Sequence, residues 1–419
     1  MINKRIYIVL IVAIGICWQA CKKEELRYPS VTILEPFVNS QVKVLDTIKI
    51  KATVSDPTLR SIAVTLVNED FNPVISSISI PVNSTSETFT TYLPINNAAL
   101  ETGVYKVRVK AWNDQISGSG FRDIGVEGIP LERLGWYILC SDSLSNNLYY
   151  LPSVGNRSLV RSGTGFPSGL AVQSSIRRCA VSESNSLELF DTDSQGSVYV
   201  DNFPVQIENT LALDKNIAVL MNNGFVHLRN EDGAIIGSLA LPSGYQPYHV
   251  GVFGNEYVVF SYQPNSGNKL TTYSRNTLLK NNDQHIGGYQ VINSFERNND
   301  LYIIGNLNGK AFVNRMSASG SLTEIGIPTN DRLLSGVLVN TLLYVSMESE
   351  MHKIDVDINY TTKENLSIIP TYMVYDELSD EILISEGINL RIMTGDLNQV
   401  KRSLNLPSEI IRQYAHYSR

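Results

Sequence analysis

Histidine, the side chain used most often as a proton shuttle or zinc ligand, is scarce in this chain of 419 residues. No H-x-H or H-E-x-x-H spacing occurs, so the pattern predicts no zinc site. No G-x-S-x-G motif, phosphate-binding glycine loop or dinucleotide fingerprint falls where a strand and a helix would support it. We therefore expect no metal and no cofactor, and the sequence names no catalytic residue. The histidines are His227, His249, His285, His352 and His416.

One pair of carboxylates has a spacing that could hold a cation. Asp355 and Asp357 alternate on one face of a predicted strand, and carboxylate oxygens are the usual ligands of calcium. A solvated outer strand explains the same alternation equally well. The pair is therefore a calcium candidate with an ordinary structural alternative.

The elements that would position functional residues repeat along the chain from residue 131 onward. Three apolar residues precede a serine or a similar residue, and this unit ends at positions 141, 182, 221, 261, 305, 346 and 385. Successive steps are 41, 39, 40, 44, 41 and 39 residues. A period of about 40 residues with strand patterning throughout is typical of four-stranded propeller blades. We predict an all-β fold with a seven-bladed β-propeller over residues 131–419.

The ends of this repeat region predict how the ring closes. Most units follow a strand pattern that would line a central channel, for example Tyr248–Val252 and Tyr372–Tyr375. The first unit lacks such a strand, whereas the C-terminus has a spare one at Ile410–Tyr417. An open ring would leave an unpaired strand edge. We therefore predict that the C-terminal strand joins the blade that begins near Trp136.

The same alignment bears on the two cysteines of this region. Cys140 and Cys179 have the same strand parity and therefore point to the same side of their blades. Neighbouring blades meet front to back at about 10 Å, which exceeds the Cα separation of a disulfide. We predict two buried free thiols.

Aromatic residues between successive blades are the candidate ligand-binding residues. These connections cluster on one face of a propeller, where an aromatic ring can stack on a sugar or anchor a protein partner. The alternative is that the rings fill the interfaces between blades. The candidates are Phe166, Tyr245, Tyr248, Tyr289 and Tyr372.

Catalysis in such a channel would need several titratable side chains that converge at its mouth. His249 and His416 fall on predicted inner strands, although a satisfied polar residue in a packed ring is the simpler interpretation. Spacing alone cannot show convergence of the nearby carboxylates, so an enzyme stays an alternative. The carboxylates near inner strands are Glu208, Glu296, Asp331, Asp376 and Glu409.

Residues 29–127 show short alternating strands separated by turn residues, and we predict strands at 30–34, 47–54, 61–67, 74–80, 87–93 and 103–112. Tyr105 lies two residues before Val107, at the place of the conserved corner tyrosine of immunoglobulin domains. The pattern resembles the cysteine-free bacterial immunoglobulin-like and fibronectin-like modules. This resemblance implies a β-sandwich over 29–127 that acts as a spacer.

The N-terminus has the parts of an export signal. A basic pair at positions 4–5 precedes an apolar run, Ile6–Ile16, which is too short to span a bilayer that needs about 20 helical residues. The segment Trp18–Cys21 follows and resembles a lipoprotein signal box. This implies a signal peptide at residues 1–20, a lipid on Cys21 that includes palmitate, and a tether at 21–28. An ordinary signal peptide cleaved elsewhere is the alternative.

The residues after Cys21 suggest a destination. Lys22, Lys23, Glu24 and Glu25 resemble the surface-export signal of Bacteroidota lipoproteins, although a solvated linker is also consistent with them. Thr47 and Ser143 each follow an aspartate in a three-residue pattern that resembles the O-glycosylation sequence of exported Bacteroidota proteins.

Taken whole, the chain resembles Bacteroidota surface lipoproteins that combine an immunoglobulin-like module with a β-propeller, some of them encoded beside outer-membrane transporters. The resemblance implies an outer-membrane protein that is lipid-anchored, faces the exterior and binds a glycan, peptide or protein partner. One form that this role can take is that of an accessory to an outer-membrane uptake system. The alternatives are a hydrolase or lyase at the channel mouth and a structural subunit of an envelope assembly complex. The net charge is −7, which becomes −9 without residues 1–20 and disfavours nucleic acid as a partner.

Overall fold

The computed structural model describes residues 27–82, 84–97, 100–142, 144–327 and 329–418. The lipidation and export candidates at Cys21 to Glu25, and the glycosylation candidate Ser143, lie outside the described residues. The chain divides into two compact units between Pro130 and Leu131. Over the described ranges it is all-β, with one short 3-10 turn at Ser174–Ile176 and no α-helix. None of its described helical segments has the length and apolar character needed to cross a membrane.

The first unit consists of two sheets. The three-stranded sheet has the order β1-β3-β6 and the five-stranded sheet the order β2-β8-β7-β4-β5, in which β2 runs parallel to β8. The strands are β1 Ser30–Glu35, β2 Ser40–Lys43, β3 Thr47–Ser55, β4 Ser61–Val67, β5 Ile78–Ile80, β6 Ser86–Pro94, β7 Gly103–Trp112 and β8 Ser117–Glu127.

Alternation of apolar and polar residues forms these strands and creates their common core. In β3, Ile48, Ile50, Ala52 and Val54 are buried, whereas the residues between them are more exposed. Buried residues of both sheets join one hydrophobic cluster. In β7 the hydroxyl of Tyr105 donates a hydrogen bond of 3.1 Å to the carbonyl oxygen of Glu101, four residues upstream.

Two of the predicted strands, over 61–67 and 103–112, have the predicted bounds. The predicted strand over 74–80 is wrong in its first half, since only Ile78–Ile80 is a strand. The side-chain amide of Asn97 donates a hydrogen bond of 2.9 Å to the carbonyl oxygen of Val74. This carbonyl oxygen is therefore bonded to a side chain rather than to the backbone of a neighbouring strand.

The second unit contains, within the described residues, seven antiparallel sheets of four strands. Six are formed by consecutive strands and one recruits the C-terminal strand. Their strands are β9 Arg133–Ser141, β10 Asn146–Pro152 and β11 Ser158–Gly163 with β36 Glu409–Tyr417; β12 Pro167–Gln173, β13 Arg178–Glu183, β14 Ser186–Asp191, β15 Ser197–Asn202; β16 Ile207–Leu213, β17 Asn216–Met221, β18 Phe225–Arg229, β19 Ile235–Ala240; β20 Gln246–Phe253, β21 Glu256–Gln263, β22 Gly267–Ser274, β23 Lys280–Gly287; β24 Tyr289–Arg297, β25 Asp300–Leu307, β26 Lys310–Ser317, β27 Leu322–Ile325; β28 Leu333–Val339, β29 Leu342–Met347, β30 Met351–Asp355, β31 Tyr360–Glu364; and β32 Tyr372–Asp376, β33 Glu381–Glu386, β34 Asn389–Thr394, β35 Val400–Asn405.

The first strands of successive sheets contact one another in a closed cycle. β12 contacts β16, and the series continues through β20, β24, β28, β32 and β36 back to β12. The predicted closure is confirmed at the level of strand pairing, because β36 pairs with β9 and places Gln413 opposite Ile138. Sheets arranged in this way form a β-propeller.

The core of this unit lies between neighbouring sheets. The second strand of each sheet carries the repeated apolar unit, and its residues are buried because sheets cover both of its faces, as with Val258 and Phe260 of β21. Cys140 packs with Leu383 of the preceding sheet, whereas Cys179 packs with Leu139 of the closing sheet. Both thiols are free and buried, as predicted, and burial raises the pKa of Cys140 to about 12.

Candidate functional site

Two adjoining cavities are bordered by the first strands of the sheets. The channel cavity has a volume of about 690 Å³ and is lined by residues of β16, β20, β24, β28, β32 and β36. The mouth cavity has a volume of about 520 Å³ and is lined by the start of β12, the start of β36, Phe166 and Asp142. Tyr372 and Arg412 line both cavities. These two side chains therefore mark the junction of channel and mouth.

A repeated backbone irregularity shapes the mouth. The ladder shifts register close to the start of β12, β16, β20, β24, β28 and β36. In β36 the shift falls between Ile410 and Arg412, so that Ile411 is the extra residue. A bulge bends the strand and changes the direction of the side chains beside it. The mouth is thus built from irregular rather than regular strand backbone.

Phe166 is presented at the mouth by an anchored segment. Asn146, at the start of β10, donates hydrogen bonds to the carbonyl oxygen of Gly165 at 2.7 Å and to Glu183 at 2.9 Å. Because Asn146 is fully buried, these bonds satisfy a polar side chain that has no access to water. The ring of Phe166 itself is 69% exposed.

Arg412 brings a positive charge to the junction. Its guanidinium carbon lies 5.3 Å from the ring centroid of Tyr372, which is the geometry of a cation–π contact. One guanidinium nitrogen, Nη1, donates to the carbonyl oxygen of Ile411 at 3.0 Å. Over the described ranges, no carboxylate oxygen lies within 4.0 Å of this guanidinium. The charge is therefore half-buried and has no counter-ion in the part of the chain that the structure describes.

His249 lies in the channel wall and is 8% exposed. Its Nε2 is 3.0 Å from Oγ of Ser294, a contact between β20 and β24. Burial, together with the positive charge of Arg412, lowers the pKa of His249 to about 4. The imidazole is therefore uncharged at neutral pH, and its basicity is too low for an efficient general base.

The structure separates the five aromatic candidates. Phe166 and Tyr372 share the mouth cavity, and Tyr248 joins Tyr372 in the lining of the channel. The hydroxyl of Tyr248 donates to the carbonyl oxygen of Tyr289 at 3.2 Å, and burial raises the pKa of Tyr248 to about 12. Tyr289 and Tyr245 line neither cavity.

Tyr289 and Tyr245 take part in packing rather than in the lining of either cavity. The ring of Tyr289 packs edge-on against Phe312 at 4.6 Å between centroids. Tyr245 is only 6% exposed, and the ammonium group of Lys269 lies 4.7 Å from its ring centroid. Neighbouring side chains therefore cover the ring of Tyr245 in this structure.

The carboxylate candidates do not converge. Asp376 is paired with Arg133, Glu296 accepts a hydrogen bond from the backbone N–H of Gly254 at 3.0 Å, and Asp331 accepts one from Ser349. Burial raises the pKa of Glu208, and Glu409 lines the mouth cavity. The described residues contain no group of three or more metal-ligating side chains.

The remaining sequence candidates lie away from the two cavities. Asp355 ends β30 and accepts a hydrogen bond from the backbone N–H of Asp357, whose own carboxylate is 3.5 Å from Arg297. Thr47 is exposed at the first residue of β3. His416 is buried beside the rings of Tyr137 and Tyr150.

Arg412 and Ser168 are the residues of the mouth that the sequence analysis missed. The available signal for Arg412 was a cationic side chain directly after two isoleucines in a predicted inner strand. Ser168 is the extra residue at the register shift of β12, and its hydroxyl donates to Ser182 at 2.8 Å.

No protein-family model matches this chain, and none of the curated proteins does. Similar solved structures include a "Quinonprotein alcohol dehydrogenase-like protein" from Bacteroides thetaiotaomicron, with 11% identity, a TM-score of 0.48 and coverage of 93% of this chain and 99% of that chain. BamB from Moraxella catarrhalis has 9% identity and a TM-score of 0.42, with coverage of 67% and 92% respectively. The WD40 beta propeller domain of Doa1 has 10% identity and a TM-score of 0.47, with coverage of 61% and 88%. Similarity of this size carries no information about ligands or activity.

Proposed function

We propose that this chain is a Bacteroidota envelope lipoprotein whose seven-bladed β-propeller binds a ligand at the mouth of its channel. An immunoglobulin-like module precedes the propeller, and a lipid on Cys21 anchors the chain in the outer membrane, facing the exterior. The ligand is a glycan or peptide segment rather than a substrate. One clustering of side chains carries this proposal: Phe166, Tyr372 and Arg412 border one cavity of about 520 Å³.

The proposed number of blades is supported by the strand order. Seven four-stranded sheets occur in the described ranges, and the C-terminal strand β36 completes the sheet that contains β9. A sheet with one strand from the end of the chain links both ends of the ring. This arrangement removes the edge that an open ring would expose.

The immunoglobulin-like assignment is supported by one hydrogen bond and by the sheet pair. The bond from Tyr105 to the carbonyl oxygen of Glu101 matches the tyrosine corner of such domains, in which the hydroxyl bonds to backbone a few residues upstream. The two sheets of this unit are mostly antiparallel and share one hydrophobic core, which is the arrangement of a β-sandwich. A spacer role for this module follows from the resemblance alone.

The binding role is supported by the character of the mouth. An exposed ring, a ring stacked under a guanidinium and nearby hydroxyl groups offer the mixture of apolar and polar contacts that ligand sites use. The volume lies in the range of about 300–1,000 Å³ that is common for such sites.

The test is a pull-down from intact cells with the Phe166→Ala variant and a glycan array run in parallel. We expect the unaltered protein to retain a glycan or envelope protein, and the variant to retain less. Phe37→Ala is the matched control, because Phe37 is also highly exposed, at 76%, and belongs to the first unit. Equal retention by all three proteins, or no retention at all, would contradict the proposal.

The anchor is tested separately by labelling cells with an alkyne analogue of palmitate. We expect label on the unaltered protein and none on Cys21→Ala, whereas Cys17→Ala keeps its label because position 17 belongs to the proposed signal peptide. Label on the Cys21→Ala protein would rule out the proposed anchor site.

A hydrolase at the channel mouth is the second candidate, and the contact between His249 and Ser294 is the observation that favours it. The low pKa of His249, near 4, speaks against a general base. No carboxylate among the described residues forms a hydrogen bond with this imidazole. The binding role is therefore the better supported of the two.

A further inference from the structure

We infer that the ligand of the mouth is an acidic glycan, and that a uronate carboxylate of this glycan pairs with Arg412. This inference rests on the ligand-binding function proposed above and names the chemistry of its ligand. It follows from the charges that line the channel cavity, from the aromatic rings beside Arg412 and from the irregular backbone of the mouth.

The charge inventory singles out Arg412. Among the described residues that line the channel cavity, Asp214 is paired with Arg275 at 2.5 Å and His249 is uncharged at neutral pH. Of the charged side chains in this lining, Arg412 is the one that has no opposite charge within 4.0 Å among the described residues. Holding a half-buried cation without a counter-ion costs free energy, and an anionic ligand would offset this cost.

The acidic residues of the mouth leave Arg412 available. Glu409 lies three residues earlier in β36 and lines the same cavity, yet the two side chains form no ion pair within 4.0 Å. The carboxylate of Asp142 accepts hydrogen bonds from the backbone N–H groups of Leu144 and Ser145, both at 2.8 Å. It is therefore engaged within its own turn rather than with the guanidinium.

The surroundings of Arg412 suit a sugar ring. A pyranose offers apolar C–H faces to aromatic rings and hydroxyl groups to polar side chains. Phe166 and Tyr372 supply rings at the mouth, and Ser168 supplies a hydroxyl beside them. A planar guanidinium can bind a carboxylate through two parallel hydrogen bonds. Together these groups recognise a sugar that carries a carboxylate.

A peptide is the less favoured occupant for a backbone reason. Extended peptides bind by adding a strand to a regular sheet edge. The first strands of six sheets shift register close to the mouth, which interrupts such an edge where the ligand would enter. Recognition by side chains is the remaining option.

The test is isothermal titration of the full-length protein in a non-ionic detergent at low ionic strength. The probes are trigalacturonate, its methyl ester, which has the same rings without charge, and a tripeptide with a free C-terminus. We expect trigalacturonate to bind about 10- to 100-fold more tightly than the ester, the range for a hydrogen-bonded charge. Added salt should weaken this preference.

Variants locate the interaction. Arg412→Ala should lose about 10- to 100-fold in affinity for trigalacturonate, and Arg412→Lys should lose less because it keeps the charge. Arg157→Ala is the matched control, since Arg157 also stacks on a tyrosine, at 5.6 Å from the ring of Tyr149, but lines neither cavity. Its affinity should equal that of the unaltered protein.

Each other outcome would overturn the inference in a distinguishable way. Equal affinity for the acid and the ester would show that the carboxylate is not recognised, and it would leave the proposed binding function unaffected. Binding of the tripeptide alone would assign the site to peptides. Absence of binding by all three probes would reject the acidic glycan, and the pull-down would then decide the binding function by itself. If Arg412→Ala does not fold, the comparison of acid and ester in the unaltered protein decides.

Discussion

Arg133 and Asp376 form a buried ion pair across the junction where the ring closes. Nη1 of Arg133, in β9, lies 3.2 Å from Oδ2 of Asp376, the last residue of β32, and the Asp376 side chain is fully buried. The N–H is not aimed at this oxygen, so the contact is an ion pair without an aligned hydrogen bond. Arg133 also pairs with Glu381, and Lys401 contacts the same glutamate at 2.9 Å. Ion pairs thus connect the sheet of β32–β35 to the closing sheet, which contains β9.

Replacing Arg133 by alanine should lower the free energy of unfolding by about 3 kcal/mol, because the buried carboxylate of Asp376 would lose its ion-pair partner and Glu381 would keep only Lys401. Urea denaturation at neutral pH measures this change. Arg177→Ala is the control, since Arg177 also lies 3.2 Å from its partner Asp193, but both side chains are more than half exposed. An exposed pair is worth about 0–1 kcal/mol. Equal effects of the two substitutions would contradict the role assigned to Arg133.

Removal of residues 408–419 should destabilise the whole ring rather than one sheet. This deletion takes away β36, whose Ile410 and Gln413 are buried, and exposes the edge of β9. We expect a lower midpoint and a broader transition in a thermal melt followed by circular dichroism. A melt that coincides with that of the full chain would show that the ring does not depend on this strand.

The sequence predicts the repeated sheets because each unit buries its middle strand on both faces. A run such as Tyr257–Phe260 must then be continuously apolar, and this pattern can be recognised in a single sequence.

The strands of the first unit are less predictable. β8 was missed because Ser117–Gly120 is rich in glycine and serine, which is typical of a turn, although here it pairs with β7 over its full length.

The site is less predictable than the fold, and the bulges are the physical reason. Strand parity normally tells which side chains face a channel, but one extra residue reverses the parity of those before it. Ile411 is such a residue, so strand parity does not predict that Arg412 lines both cavities. Phe166 and Tyr372 were identified because they lie in or beside connections, where parity is not needed.

Gly169 marks a close approach of two first strands, which leads to a steric prediction. A Cβ atom at this position would lie 2.3 Å from the backbone nitrogen of Thr210 in the next sheet. Because backbone cannot move aside cheaply, Gly169→Ala should cost about 1–3 kcal/mol in urea denaturation. Gly326→Ala is the control, since no atom lies within 4 Å of the added methyl group. Equal stability of both variants would contradict the predicted clash.

His416 should make the stability of the ring depend on pH. Burial lowers its pKa from 6.5 to about 4, while the nearby charge of Asp193 acts weakly in the opposite direction. Below pH 6.5 the unfolded chain binds a proton that the folded chain binds only near pH 4. The free energy of unfolding should therefore be highest above pH 6.5 and fall as the pH drops toward 4, by on the order of 3 kcal/mol for this group.

His416→Gln removes the titrating group and should flatten this dependence between pH 6.5 and 4.5 in urea denaturation. The slope that persists should come largely from His249, whose pKa burial also lowers to about 4. His285→Gln is the control, because His285 is exposed on β23 and its replacement should leave the slope of the unaltered protein. The same slope in His416→Gln and in His285→Gln would mean that the acid sensitivity arises elsewhere.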